Sequence, residues 1–177
     1  EIAGVTFAAA AAGIKHKNRV DVMLAVLAPG TAMAGVFTRS ATRSAPVLDC
    51  QSKLGHDPSG PAAILVNSGN SNAFTGGRGT ESVLALTTSV AAKTGVSADR
   101  IFTASTGVIG EPLDPAFIVN AIPGLAAAAT ADGWHDAANA IMTTDTFSKA
   151  STRQVRFDGK TVTINGIAKG SGMIAPD

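Results

Sequence analysis

Three polar clusters stand at the ends of apolar runs, and each holds residue types suited to chemistry on small molecules. The segment "TASTGVIGEPL" offers hydroxyls at Ser105 and Thr106 and then Gly107, whose freedom to turn sharply lets backbone N–H groups point into a cleft. Hydroxyl and amide donors held in place are what an oxyanion hole needs, because they meet the charge that develops when a carbonyl is attacked. A serine nucleophile is not expected there, since Thr103 stands where a G-x-S-x-G elbow has glycine. The segment "NSGNSNAFTGGRG", Asn67 to Gly79, is rich in amide dipoles and glycine, which suits either an anion or a tight corner. It lacks the Gly-Lys-Ser/Thr ending of a phosphate loop, and the plainer reading is a turn leading into a helix. In "MTTDTFSK" the threonines 143, 144 and 146 surround Asp145, where they can bind an amino-acid substrate or simply cap the local backbone.

Other candidates are weaker. His16, His56 and His135 are far apart in sequence and match no metal-binding spacing, so no metal is expected. Cys50 is the only cysteine, which rules out an internal disulfide and reads as a packing residue in a reducing cytoplasm. The formal charge of +1 is spread along the chain, which argues against nucleic acid as a partner. A 45% hydrophobic fraction over 177 residues suffices for one ordinary core, yet no apolar run approaches the length that spans a membrane. Glu1 reads as a trimmed start and not as a targeting peptide.

The elements that must position these clusters follow from periodicity. The opening, 4–37, predicts a strand, a glycine turn, a basic connection, a second strand, and a third strand in "TAMAGVF" after the Pro29-Gly30 turn. The tract Ala8 to Ala12 is compatible with helix by propensity alone. "GPAAILVNSGN" predicts a buried strand, and 80–94 predicts a helix bearing Val83, Leu84, Leu86, Val90 and Ala91, capped by Gly95. A strand at "RIFTA" precedes a helix beginning at Asp114 or Pro115 and interrupted at Pro123-Gly124. "DGWHDAANAIM" supplies another helix, with Trp134, Ala138 and Ile141 on one face. Finally, "RQVRF" and "TVTING" flank Asp158-Gly159, a two-residue hairpin signal. The order predicts a single α/β domain over 1–177, a mixed sheet packed with helices.

Five blocks in order, "FTRSATRSAPV", "ILVNSGNSNAFTG", "ASTGVIGEPL", "AIMTTDTFSK" and "KGSGMIAP", closely resemble the ornithine acetyltransferase family, the glutamate N-acetyltransferases of arginine biosynthesis. The resemblance spans nearly the whole chain. It implies a precursor that cleaves itself at an Ala-Thr bond just past the "KGSGMIAPD" end, so that this chain is the α chain. The nucleophilic threonine would then open a β chain, which completes a layered sandwich in an α2β2 heterotetramer. The implied reaction is ping-pong transfer of acetyl from N2-acetyl-L-ornithine to L-glutamate, with no cofactor required and acetyl-CoA as a possible second donor. By the same resemblance Thr106 and Gly107 form the oxyanion hole, while Thr143 and Lys169 bind substrate. Phe74, Ser148 and Asp177 depart from the family's usual cysteine, proline and asparagine, and Asp177 adjoins the expected processing site, where its carboxylate would alter the cleavage rate. Two readings compete: a related self-processing aminopeptidase with water as acceptor, and a non-catalytic scaffold subunit.

Overall fold

Two-residue alternation in the apolar runs builds a sheet with both faces covered. The computed structural model describes residues 2–55, 57 and 59–170, so Asp177 and the last residues of the closing block lie outside the described residues. Four strands, β1 (Val5–Ala10), β2 (Val22–Leu27), β3 (Ala62–Asn70) and β4 (Ile101–Val108), lie side by side in that order. The first three are antiparallel neighbours, and β4 runs parallel to β3. Four helices flank them: α1 (Ala45–Lys53), α2 (Gly77–Thr94), α3 (Ala116–Ala128) and α4 (Trp134–Ala140).

Ala8, Val22, Leu24, Ala63, Leu65 and Ile101 form one face and pack on Leu86 and Val90 of α2 and on Ile118, Ile122 and Leu125 of α3. At roughly 1.5–3 kcal/mol for each large apolar side chain taken out of water, this layer dominates the stabilisation. The residues between them, Met23, Ala25, Ile64 and Val66, face the other way onto Ala137, Ala140 and Ile141 at α4. Phe7 joins that second layer and meets Trp134 edge to face, with ring centroids 6.2 Å apart. The alanine tract is therefore strand through Ala10, because pairing with β2 and burial of Ala8 outweigh its helix propensity.

Helix α2 buries Ser82, Val83, Leu86, Thr87 and Val90 and ends at Gly95, whose φ of 74° lets its N–H reach the Ala91 carbonyl at 2.9 Å. Leu84, expected on the same stripe, is instead 65% exposed. Helix α3 does not break at Pro123-Gly124. Both residues lie on its exposed side, where water can meet the carbonyl left without an N–H partner, while Ile122 and Leu125 stay buried. The third strand expected in "TAMAGVF" does not form: the segment finds no neighbouring strand to ladder with, and Val36 is 99% exposed. The chain proceeds instead to α1, a helix with Pro46 in its first turn that strand-and-turn reading passed over.

Two further strands, β5 (Lys149–Phe157) and β6 (Lys160–Ala168), form a separate hairpin. Asp158 and Gly159, with φ of 48° and 74°, make the two-residue turn that the Asp-Gly pair predicts. Most of this hairpin is exposed, including Val155, Phe157, Val162 and Ile164. Among the described residues no helix is long and apolar enough to cross a membrane.

Candidate active site

The Asn/Gly cluster and the Thr/Gly cluster are neighbours in space because β3 and β4 run parallel. Their register sets Asn67 beside Ser105, Ser68 beside Thr106 and Gly69 beside Gly107. Gly107 has a φ of 137° and Gly69 a φ of 104°, backbone that glycine tolerates and other residues rarely adopt. A Cβ on Gly107 would collide with the backbone of Gly69 and Asn70, so the two strands touch with no side chain between them. A bulge at Gly69/Asn70 then ends the regular pairing.

Buried amides hold this corner. The Ser105 hydroxyl donates to Asn67 Oδ1 at 2.6 Å, and Asn67 Nδ2 donates to the Asn70 carbonyl at 2.9 Å. Asn70 Oδ1 accepts from the Asn72 N–H at 2.7 Å, and Asn70 Nδ2 donates to the Glu111 carbonyl at 3.0 Å. Asn72 is fully buried with a φ of 48°, and its Nδ2 reaches the Gly79 carbonyl at the start of α2. The plainer reading of this cluster, a turn leading into a helix, describes the structure. Its amides also brace the strand end that carries Thr106 and Gly107.

From behind, Asp21 accepts the N–H groups of Ala12, Gly13 and Ile14 at 2.7, 3.0 and 2.8 Å, and its own carbonyl accepts the Ser68 N–H at 2.8 Å. From α1, the Cys50 thiol donates to the Thr103 carbonyl at 3.2 Å and Lys53 Nζ donates to the Ile101 carbonyl at 3.1 Å. Burial pushes the Cys50 thiol up from its ordinary value, which suits the packing role expected of it.

The two-residue period of β4 puts Thr106 on the same side as Phe102 and Ala104, the side of Ile64, Val66 and α4. The chain leaving β6 meets it there, and the chain leaving α4 meets that segment in turn. Lys169 Nζ donates to Thr106 Oγ1 at 3.0 Å, across 63 residues of sequence. Thr143 is fixed by both of its peptide groups: its N–H donates to Asp145 Oδ2 at 3.1 Å, and its carbonyl accepts Arg19 Nη2 at 2.8 Å. Asp145 Oδ1 also accepts the Gly170 N–H at 2.6 Å and Lys149 Nζ at 2.7 Å. The Lys149 ammonium and then the Gly170 N–H hold the Asp145 carboxyl far below the usual carboxylate range, and the side chain is wholly covered.

Thr106, Gly107 and Lys169 are thus contiguous, and Thr143 connects to Lys169 through Asp145 and Gly170. Reading the sequence alone gave Asp145 and Arg19 no part. The one available signal was an acid enclosed by threonines, whereas Arg19 lies 124 residues from its Thr143 partner. An open groove of about 490 Å³ runs between 147–151 and 166–168, lined by none of the four expected site residues. Among the described residues, no three of His, Cys, Asp or Glu gather in the manner of a metal centre.

Comparison with known proteins agrees with this architecture. A crystal structure of the arginine biosynthesis bifunctional protein ArgJ from Bacillus halodurans superposes with a TM-score of 0.87 at 35% identity, covering 99% of this chain and 91% of that one. An ornithine acetyltransferase from Mycobacterium tuberculosis, solved in complex with ornithine, gives a TM-score of 0.83 at 34% identity over 99% and 92% of the two chains. The arginine biosynthesis bifunctional protein ArgJ of Ruegeria pomeroyi is 64% identical over 176 residues, which are 99% of this chain and 43% of that protein. The chain therefore spans less than half the length of this curated relative. The five sequence blocks point to the same relatives, and the profile described as the ArgJ family matches residues 6–177. The chain belongs to the ArgJ family.

Proposed function

We propose that this chain is the α chain of an ornithine acetyltransferase that moves acetyl from N2-acetyl-L-ornithine to L-glutamate. The observation that carries the reading is the Lys169 ammonium on the Thr106 hydroxyl, 3.0 Å away, beside Gly107 in a corner stiffened by buried amides. A hydroxyl that accepts from an ammonium keeps its own proton for another acceptor, and the positive charge makes it a better donor. Both features suit an oxyanion.

In the first half-reaction, a threonine Oγ on the β chain attacks the acetyl carbonyl carbon of acetylornithine. The tetrahedral oxygen takes up negative charge and is met by the Thr106 hydroxyl and a backbone N–H at Gly107. The C–N bond then breaks, ornithine leaves as the amine with the proton from the nucleophile, and an acetyl ester remains. In the second half, the amine of glutamate attacks that ester and the threonine regains its proton. Thr143 and Lys169 hold the amino-acid portion of the substrate.

The precursor cleaves itself, the β chain completes a layered sandwich over the exposed hairpin, and two α–β units form an α2β2 enzyme in the cytoplasm. No cofactor is needed, and acetyl-CoA is a second candidate donor. The test is to express the chain together with the remainder of its reading frame, determine the N-terminus of any second chain, and follow acetyl transfer. A second chain starting with threonine, together with acetylglutamate formed from acetylornithine, is expected. Release of free acetate or amino acid without transfer to glutamate would favour the aminopeptidase reading instead.

A further inference from the structure

The arm that brings Lys169 to Thr106 converges on one carboxylate. Asp145 lies in the loop after α4, and its two oxygens accept from three places: Thr143 beside it, Lys149 at the start of β5, and Gly170 just past the end of β6. The hairpin ladder already pairs Lys149 with Ala168, so both of its ends arrive together at Asp145. Beyond Ala168 the ladder stops. There Gly170 takes a φ of 146°, a conformation suited to glycine, and offers its N–H to Asp145. This contact fixes the direction of the chain at Lys169, whose exposed side chain would otherwise sample many rotamers.

We propose that Asp145 is a positioning residue: by holding the peptide groups of Thr143 and Gly170 on one carboxylate, it fixes the spacing between Thr143 and Lys169 and keeps the Lys169 ammonium on the Thr106 hydroxyl. The proposal rests on the acyl-transfer reading for the meaning of that spacing, but the placement itself is testable without it. A purely structural alternative is that Asp145 serves the fold through its ion pair with Lys149, an i,i+4 contact of ordinary kind. Two substitutions separate these roles. Lys149→Met removes the ion pair and leaves the contacts to Thr143 and Gly170. Asp145→Asn preserves size but turns an NH2 group toward at least one of the N–H groups that the carboxylate now accepts.

The experiment uses the full-length protein and its variants, acetylated briefly with an N-hydroxysuccinimide ester, with labelling at Lys169 measured by mass spectrometry relative to the exposed Lys93. Asp145→Asn is expected to raise relative labelling of Lys169 roughly fivefold or more, as the side chain passes from mostly held to mostly free, with Lys149→Met within about twofold of the parent. In the transfer assay, Asp145→Asn should raise KM for the acetyl donor about tenfold, from the loosened hold of Thr143 and Lys169 on the amino acid, and lower kcat about tenfold as well, because the freed ammonium no longer strengthens the Thr106 hydroxyl as a donor. If Asp145→Asn does not accumulate as folded protein, Gly170→Ala displaces the same N–H and should also release Lys169. Unchanged Lys169 labelling in Asp145→Asn, or in Gly170→Ala where that variant is used instead, overturns the proposal. So does a Lys149→Met variant that reproduces the full effect. A parent protein with no acetyl transfer but with the labelling contrast intact would refute the acetyltransferase reading and leave the placement by Asp145 standing.

Discussion

The corner at Asn67–Asn72 and Thr103–Gly107 and the arm at 142–170 supply the two halves of one candidate site, and they are built in opposite ways. The corner is held redundantly by a parallel register, a backbone-to-backbone contact, a chain of buried amides, Asp21 behind it and α1 beside it. The arm is a largely exposed hairpin whose approach to the corner runs through Asp145 and Lys169. Groups that must meet developing charge gain from rigidity before the reaction begins. Groups that bind and release an amino acid tolerate a lighter hold, and elements with few buried contacts are drawn from the low-stability end of a fold.

The sharpest way to break this comparison is Gly107→Ala. Its methyl group has no room against Gly69 and its φ is unsuited to a side chain, so both proposed oxyanion donors should shift, and the proposed acetyl transfer should fall by more than about 1,000-fold. Steady-state kinetics checks this, with the melting temperature expected to drop as well. Thr106→Val keeps the shape and removes one donor. It should lower kcat by about 100- to 1,000-fold with little change in melting temperature.

Asn67→Ala probes the corner without touching a reacting group. It strips partners from the Ser105 hydroxyl and the Asn70 carbonyl and should cost roughly 2 kcal/mol in denaturant unfolding. The arm's counterpart is Thr163→Ala, which removes the exposed hydroxyl that accepts from Gln154 at 3.3 Å. The change should stay within about 0.5 kcal/mol, and a cost equal to that of Asn67→Ala would erase the contrast.

Acid offers the smallest expected effect. The folded-state value of Asp145 is depressed, so its stabilisation is fully present above the unfolded carboxylate value of about 3.9 and is lost only as the pH falls toward the folded value. Hydrogen exchange at the Gly170 amide, corrected for intrinsic rate, should therefore show the same protection at pH 7 and pH 5. Loss of protection by pH 5 would mean that the contacts from Lys149, Gly170 and Thr143 do not hold the carboxyl in its charged form.

Local signals made much of the scaffold legible. Asp158-Gly159 announced its turn, Gly95 its helix end, and the continuous apolar run of β3 its burial. The helix over Ala45–Lys53 was missed even though Pro46 is suited to a first turn, because its short apolar pattern is weak. "TAMAGVF" failed as a strand for a reason no local pattern carries, namely that a strand exists only where a neighbour offers its edge. The site followed the same division. Thr106 and Gly107 stood out by residue type at a strand end and Thr143 as one of three clustered threonines, whereas Lys169 and the role of each entered through resemblance to a family, and the contact between Lys169 and Thr106 depends on two distant chain ends arriving on one side of the sheet. Asp145 was visible as a residue and invisible as a junction, since its partners at Thr143, Lys149 and Gly170 meet only after the hairpin closes.

The alternation along β4 also gives the site a parity. Thr106 lies on the α4 side because its position is an odd number of steps along the strand from Ile101, which faces the α2 and α3 layer, and an even number from Phe102 and Ala104. One residue inserted between Phe102 and Thr106 would turn the hydroxyl toward the α2 layer and strand Lys169, whereas two would return it to the correct side, one pleat farther out. Length changes in this strand are therefore read as even or odd before they are read as long or short.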